Sequence, residues 1–328
     1  MNVCDSLEVT VLVDNHIDML MVDESDLVRQ GMPEHFAPRH GTPLAENGLA
    51  FLLTVRHGRR RTNILLDAGL TPGPLLHNAK VLGIDLTEVD LVVLSHGHPD
   101  HFGGLEKVLA AIGRPTPVVV HPTAFRPRSI IRPDTVITYF NRGLTRKGIE
   151  DNGGVLVEVT GPAQVAPGVT TSGEIPTTES FEQEVPTGRI CVYDGDLVDD
   201  TISDYLTLTV NVAGMGLVQF DPCGHAGVVS ALQHARKLTA VDEVHWLFGG
   251  FHLGHPGISQ SKVDSTADRL LALGVRNVSP MHCSGFRIQR ALAERSAEQL
   301  RLMSVGTVIS IKSGRGAAAH DMISVKSP

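Results

Sequence analysis

The spacing of apolar residues changes along the chain, and each change predicts an element. Leu7–Asp14 alternates apolar and polar residues, the period of a strand with one face buried. Leu49–Val55 and Asn63–Asp67 flank the turn-like HGRRR and predict a hairpin. Leu91–Ser95 (LVVLS) is a short apolar run of the kind a strand covered on both faces uses. Gly104–Ile112 has helical spacing and stops at Gly113 and Pro115, and Pro117–His121 predicts another strand. The Gly-, Pro- and Thr-rich stretch 122–200 shows no clear period. Beyond it, Tyr205–Val212 and Gly216–Asp221 predict a hairpin, Val228–Leu238 a helix, Val244–Phe248 a strand, Ser265–Leu273 a helix and Val275–Pro280 a strand. A helix over Ile288–Met303 and a strand over Thr307–Ile311 follow. Strand-rich segments followed by helices, twice over, predict two sheets packed face to face with helices outside. No repeat of fixed period and no separating linker interrupts this pattern. The expectation is one domain over 1–313, with an inserted loop or lid at about 122–200 and a tail at 314–328.

Composition narrows the classes. Over 328 residues, 42% are hydrophobic and 20% charged, an ordinary globular mixture that excludes disordered and collagen-like chains. Four scattered cysteines make no disulfide framework. A formal charge of −8 argues against a nucleic-acid binder. No stretch approaches the roughly 20 apolar residues of a membrane span, and the N-terminus lacks the basic start of a secretory signal. The expectation is a cytoplasmic protein with no membrane or nucleic-acid partner, its oligomeric state open. Sixteen histidines beside only 4% aromatics are the outlying feature, because imidazole is the commonest metal ligand.

Three of those histidines and an aspartate fall within six residues, His96-Gly97-His98-Pro99-Asp100-His101, directly after the apolar run LVVLS. A strand end delivers side chains to a sheet rim, where a loop can turn several toward one point. Imidazole nitrogen and carboxylate oxygen suit Zn²⁺, and also Fe or Mn. Gly97, Gly103 and Gly104 allow the loop backbone to turn.

The segment His96-x-His98-x-Asp100-His101 resembles the signature of the metallo-β-lactamase superfamily. The resemblance implies an α/β four-layer αββα sandwich with a mono- or dinuclear metal site at one rim. In the family the first two histidines serve one metal and the Asp-His pair the other. Asp67, after the strand ILLDAG, resembles the aspartate that supports the ligands from behind. Cys223-Gly224-His225-Ala226-Gly227, Gly249-Gly250-Phe251-His252-Leu253 and His282-Cys283-Ser284-Gly285 resemble the branch named for the dihydropterin-ribofuranosyl-aminobenzene-phosphate synthase of methanopterin biosynthesis. That similarity runs from about residue 7 to 311 and is specific for the branch, not for a reaction.

One departure leaves the third ligand of the first metal open. The family's Gly-His-Thr turn has no match, and Glu174 stands in the nearest segment. His225 is the first choice, because it follows a strand and precedes a helix; Cys223 and Glu174 are the alternatives, and the bridging aspartate falls near Asp221–His225. His282 takes the position of the last histidine, as a ligand of the second metal. His252 reads equally as a substrate or proton-transfer residue and as a structural one; His121, His234, His245 and His255 read as structural or surface residues.

The expected cofactors are two divalent ions, Zn²⁺ first, and the expected catalyst is a metal-bound hydroxide oriented by Asp100. The expected reaction is hydrolysis of a small ester, lactone or phosphodiester. Between Arg126 and Lys147 six basic residues oppose one acid, a net +5 that predicts a lid favouring an anionic small molecule through Arg126, Arg128 and Arg142. The competing readings are a synthase-type condensation, which would use the same motif residues, and a di-iron redox protein, which His98 disfavours because that branch carries a carboxylate there.

Overall fold

Alternation along the strand Ala50–His57 sends Phe51, Leu53 and Val55 into one core and Ala50 and Leu52 into another, as a period of two requires. Repeated over neighbouring strands, this division builds layers. The computed structural model describes residues 2–312 apart from 25, 30–40, 133, 138 and 184–187. Among them, eight strands form a first sheet in the spatial order β2 (Leu27–Val28), β18 (Val308–Lys312), β1 (Ser6–Val13), β3 (Ala50–His57), β4 (Arg60–Leu66), β5 (Leu91–Val93), β6 (Thr116–Val120) and β9 (Gly154–Glu158). Six form a second: β10 (Ala163–Ala166), β11 (Val169–Thr171), β14 (Leu208–Val212), β15 (Gly216–Asp221), β16 (Val244–Gly250) and β17 (Asn277–Met281).

The two sheets share one core. Leu7, Val9, Phe51 and Leu53 of the first meet Val210, Phe220, Trp246 and Phe248 of the second. Trp246 stacks on Phe248 at 4.9 Å between centroids and Phe248 on Phe220 at 5.2 Å, while Phe51 meets Phe220 edge-on at 5.4 Å. These are favourable aromatic geometries, and the Trp246 indole N–H is satisfied by Ser279 Oγ at 2.8 Å. Helices α1 (Pro72–Val81) and α3 (Leu105–Ile112) cover the outer face of the first sheet through Leu75, Ala79, Leu105 and Leu109. Between them lies the short α2 (Pro99–Phe102), and α4 (Arg146–Asp151) precedes β9. Helices α5 (Val228–Thr239), α6 (Gln260–Ala272) and α7 (Phe286–Ser296) cover the second sheet through Val229, Val263 and Ile288. The order helix, sheet, sheet, helix is the expected αββα sandwich.

Several boundaries differ from the sequence expectation, each for a local reason. HGRRR is mostly strand: β3 and β4 pair through His57 and Arg60, leaving a two-residue turn with Gly58 at φ +57°, the loop length that suits the twist of a hairpin. The helix expected to reach Met303 ends at Ser296, because the chain then pairs Leu300 with Val278 and buries Met303 between the sheets. The interval 122–200 is not one inserted lid. It supplies β9 to the first sheet and β10 and β11 to the second, and only β7 (Arg128–Arg132), β8 (Thr135–Ile137), β12 (Arg189–Tyr193) and β13 (Asp196–Asp199) leave the sandwich, as a small third sheet. The expected tail at 314–328 lies outside the described residues. Among the described residues no helix is long and apolar enough to cross a membrane.

Replacing Phe248 by Ala is expected to cost about 3–5 kcal/mol, the range for removing a buried aromatic ring, read from the shift in a urea unfolding midpoint.

Candidate metal centre

The chemistry-bearing residues lie where strands of both sheets end. Asp14 and Asn15 follow β1, Asp67 follows β4, and His96, His98, Asp100 and His101 follow β5. From the second sheet, Cys223 and His225 follow β15, His252 follows β16, and His282 and Cys283 follow β17. The histidine loop turns sharply against its neighbours: a Cβ on Gly103 would lie 1.8 Å from the Leu70 carbonyl oxygen. Glycine serves there for close approach rather than for an unusual dihedral.

Hydrogen bonds fix which ring nitrogen each histidine offers. Asp67 Oδ1 accepts from the Ser95 amide at 2.7 Å, and its Oδ2 accepts from Ser95 Oγ at 2.8 Å and from His101 Nδ1 at 2.7 Å. With the single Ser95 hydroxyl proton directed at Asp67, His96 Nδ1, 2.9 Å from Ser95 Oγ, is the donor of that pair. Both His96 and His101 thus keep Nε2 as a lone pair, and these two buried atoms have no hydrogen-bond partner among the described residues. His282 Nδ1 lies 3.2 Å from Asn15 Oδ1, leaving Nε2 3.2 Å from Asp100 Oδ2. His98 Nδ1 and His225 Nε2 face each other at 3.2 Å.

Electrostatics keep most of these rings neutral. Burial, with the neighbouring imidazoles, holds His96 and His225 well below the ordinary histidine range; burial and the Arg128 charge push His98 down to about 3. Against the burial that would raise it, Asp100 is held low by His101 and His282. His282 is raised to about 9, because Cys283 and Asp100 outweigh its burial. Neutral imidazole and ionised carboxylate are the protonation states a cation needs.

These donors fit divalent ions. His96, Cys223 and His225 offer ligand atoms within 4.8 Å of one another, and so do His101, Cys223 and His282, with Asp100 beside the second group. Buried imidazole nitrogens without partners are costly unless something fills the space between them. Three site residues, Asp67, His252 and His282, sit at φ +61°, +51° and +46°, a region non-glycine residues enter when their surroundings over-determine them.

A model of the metallo-β-lactamase superfamily matches residues 45–174, the stretch that holds Asp67 and the histidine loop. A solved metal-dependent hydrolase of the β-lactamase superfamily superposes with a TM-score of 0.71 over 94% of this chain and 100% of that one, at 21% identity. The chain is thus similar to the metallo-β-lactamase superfamily in sequence over residues 45–174 and in fold over most of its length. The chain is 29% identical over 280 residues to the 7,8-dihydropterin-6-methyl-4-(β-D-ribofuranosyl)-aminobenzene-5'-phosphate synthase of Methanocaldococcus jannaschii, covering 85% of this chain and 94% of that one. A diphosphatase of the PhnP family shares the fold at a TM-score of 0.50 and 13% identity, over 93% of this chain and 97% of that one.

The histidine loop stands beside a cavity of about 1290 Å³ whose wall includes His98, Asp100, His252, Phe140, Phe181 and Phe251. The arginines expected to line it do not. Arg128 is buried: its Nη1 reaches Asp204 Oδ2 at 3.0 Å, its Nη2 reaches Asp204 Oδ1, and its Nε lies 3.0 Å from Asp200 Oδ2. Arg126 lies over the Tyr193 ring at 4.2 Å and faces a separate cavity of about 260 Å³. Arg142 is exposed, 5.4 Å from the Tyr139 centroid. Glu174 also lies apart from the metal groups, exposed and 3.6 Å from His121. Among the described residues, Arg189 and Lys262 are the Arg and Lys in the wall of the large cavity, which proximity in sequence did not group.

Other supporting residues carry no local signal. Tyr205 donates to Asp221 Oδ1 and accepts from the amides of Cys223 and Gly224 at 2.9 and 2.8 Å, shaping the turn that presents Cys223 and His225. Burial pushes Asp221 up to about 8. Asp14 accepts from the His282 amide at 2.9 Å across 268 positions of sequence.

Two outcomes follow. Asp67→Ala is expected to weaken metal affinity about 10–100-fold, as loss of a partner behind a ligand does elsewhere, measured by competition with a chromophoric chelator. Arg128→Ala is expected to cost about 3–5 kcal/mol by leaving buried carboxylates unpaired, against less than about 0.5 kcal/mol for Arg142→Ala, both from urea unfolding.

Proposed function

We propose that the protein is a metal-dependent hydrolase that cleaves an ester, lactone or phosphodiester bond in a small anionic molecule with an apolar body. The observation that carries this reading is the convergence of the two donor groups at the strand ends, beside His98 and Asp100, which line the large cavity. Divalent ions held there would supply Lewis acidity toward water and toward a carbonyl or phosphoryl oxygen. Zn²⁺ is the ion the nitrogen-rich donor set favours, with Mn and Fe as alternatives. Asp100, held ionised beside His101 and His282, would orient a water by accepting a hydrogen bond from it. Asp67 keeps His101 in a single tautomer throughout. Phe140, Phe181 and Phe251 offer apolar faces to the body of the substrate, and Lys262 and Arg189 offer cations to its charged end.

A second reading is a synthase-type condensation joining a pterin to an aminobenzene phosphate. Two observations favour it: the extent of similarity to the named synthase, and a cavity of about 1290 Å³, above the roughly 300–1,000 Å³ of usual small-molecule pockets. The same residues would bind and orient the phosphorylated partner.

The test is metal analysis of the purified protein followed by turnover of a panel of phosphodiesters, lactones and anionic and neutral esters, before and after chelation. Chelator-sensitive hydrolysis of an anionic member is expected. Lys262→Ala is expected to raise KM for it several-fold and to leave a neutral analogue unchanged. Condensation of the pterin and aminobenzene partners, with no hydrolysis of any panel member, would replace the hydrolase reading by the second.

A further inference from the structure

The second sheet alone gathers another set of donors. β15, β16 and β17 are adjacent parallel strands, and the turns after them carry Cys223, His252 and Cys283. Cys223 Sγ lies 3.4 Å from Cys283 Sγ and 3.6 Å from His252 Nδ1, and the three ligand atoms fall within 4.8 Å of one another. Cys283 and His252 belong to neither of the histidine groups that use His96 or His101.

We propose that Cys223, His252 and Cys283 form a thiophilic metal site that shares Cys223 with the two histidine groups but adds His252 and Cys283 as its own ligands, and is suited to Zn²⁺ or another soft divalent ion. Metal–sulfur bonds of about 2.3 Å and metal–nitrogen bonds of about 2.0–2.1 Å in a tetrahedron put two thiolates about 3.8 Å apart and a thiolate and an imidazole about 3.6 Å apart. The observed spacings lie close to those edges. A disulfide would need the sulfurs to close to about 2.05 Å, and it would leave His252 with no part in the arrangement. The backbone is shaped around the group: His252 is held at φ +51°, and a Cβ on Gly250 would come within 2.6 Å of Cys283 Sγ. Two thiolates and one imidazole leave a fourth position open, as in catalytic rather than structural zinc sites. His252 lines the large cavity, so the site stands beside the space a substrate would fill. Binding releases the two thiol protons to solvent, with no change of oxidation state.

The test uses the full chain, stripped with chelator under reductant and titrated with Co²⁺. A thiolate-to-cobalt charge-transfer band in the near ultraviolet is expected, with one more cobalt bound per chain than in Cys283→Ser, where the band is weakened or lost. Bound cobalt is also expected to protect Cys283 from alkylation in the wild-type protein, a readout that needs no variant. His96→Ala is expected to keep both the band and the protection, which separates this site from the proposed hydrolytic centre. Equal cobalt content and an identical band in wild type and Cys283→Ser, with Cys283 alkylated equally with and without cobalt, would overturn the proposal. So would a protein lighter by two hydrogens, with Cys223 and Cys283 joined as a disulfide that excludes cobalt.

Discussion

The carboxylate of Asp67 organises the site. It is fully buried, and three donors, the Ser95 amide, the Ser95 hydroxyl and His101 Nδ1, converge on it within 2.8 Å. The amide fixes the start of the histidine loop, the hydroxyl relays the constraint to His96, and the imidazole bond selects the tautomer of His101. A buried carboxylate without donors would be expelled or protonated. Here it is satisfied by the loop it holds, so loop conformation and carboxylate burial stabilise each other.

A rim built from strand ends explains why so few local interactions suffice. The strands are positioned by the inter-sheet core, whose aromatic contacts among Phe51, Phe220, Trp246 and Phe248 set the spacing of the sheets. Once that spacing is set, residues from β5 and β15 meet without long connecting loops. The accompanying burial keeps His96, His98 and His225 neutral, since a cationic ring there would lose its hydration and face other rings. With Nδ1 engaged, His96 and His101 each leave a buried Nε2 without a hydrogen-bond partner among the described residues, which is what a cation requires.

The layers and the histidine loop were legible in the sequence because each rests on a local pattern. Alternation reports a strand whatever lies opposite it, and six consecutive residues carry most of the metal donors. The stretch 122–200 was not legible, because its short, Gly- and Pro-rich strands divide among three sheets and no period survives. The arginine cluster misled for a related reason. Charges adjacent in sequence on β7 and its turns point to different places: Arg128 inward to Asp200 and Asp204, Arg126 to Tyr193, Arg142 to Tyr139. Lys262 gave no signal, as the third residue of an amphipathic helix. The support of His282 by Asp14 and Asn15 spans nearly the whole chain, a pairing that only the closure of the first sheet onto the second creates.

Arg128 also bears on how the cavity is held. Asp204, its buried partner, accepts the Gly97 amide at 2.7 Å, between His96 and His98. One carboxylate therefore joins the histidine loop to the first residue of β7, and two and three residues later Ile130 and Ile131 form part of the cavity wall. β12 pairs with β7 in a register that sets Arg189 opposite Ile130, so one of the two cations of the wall is placed by the same anchor. The small third sheet is thus fixed at its root to the loop that carries the metal donors. Variation farther along β8, whose Ile137 also lines the cavity, can reshape it without moving the histidines, whereas a change at the Arg128–Asp204 pair displaces both together.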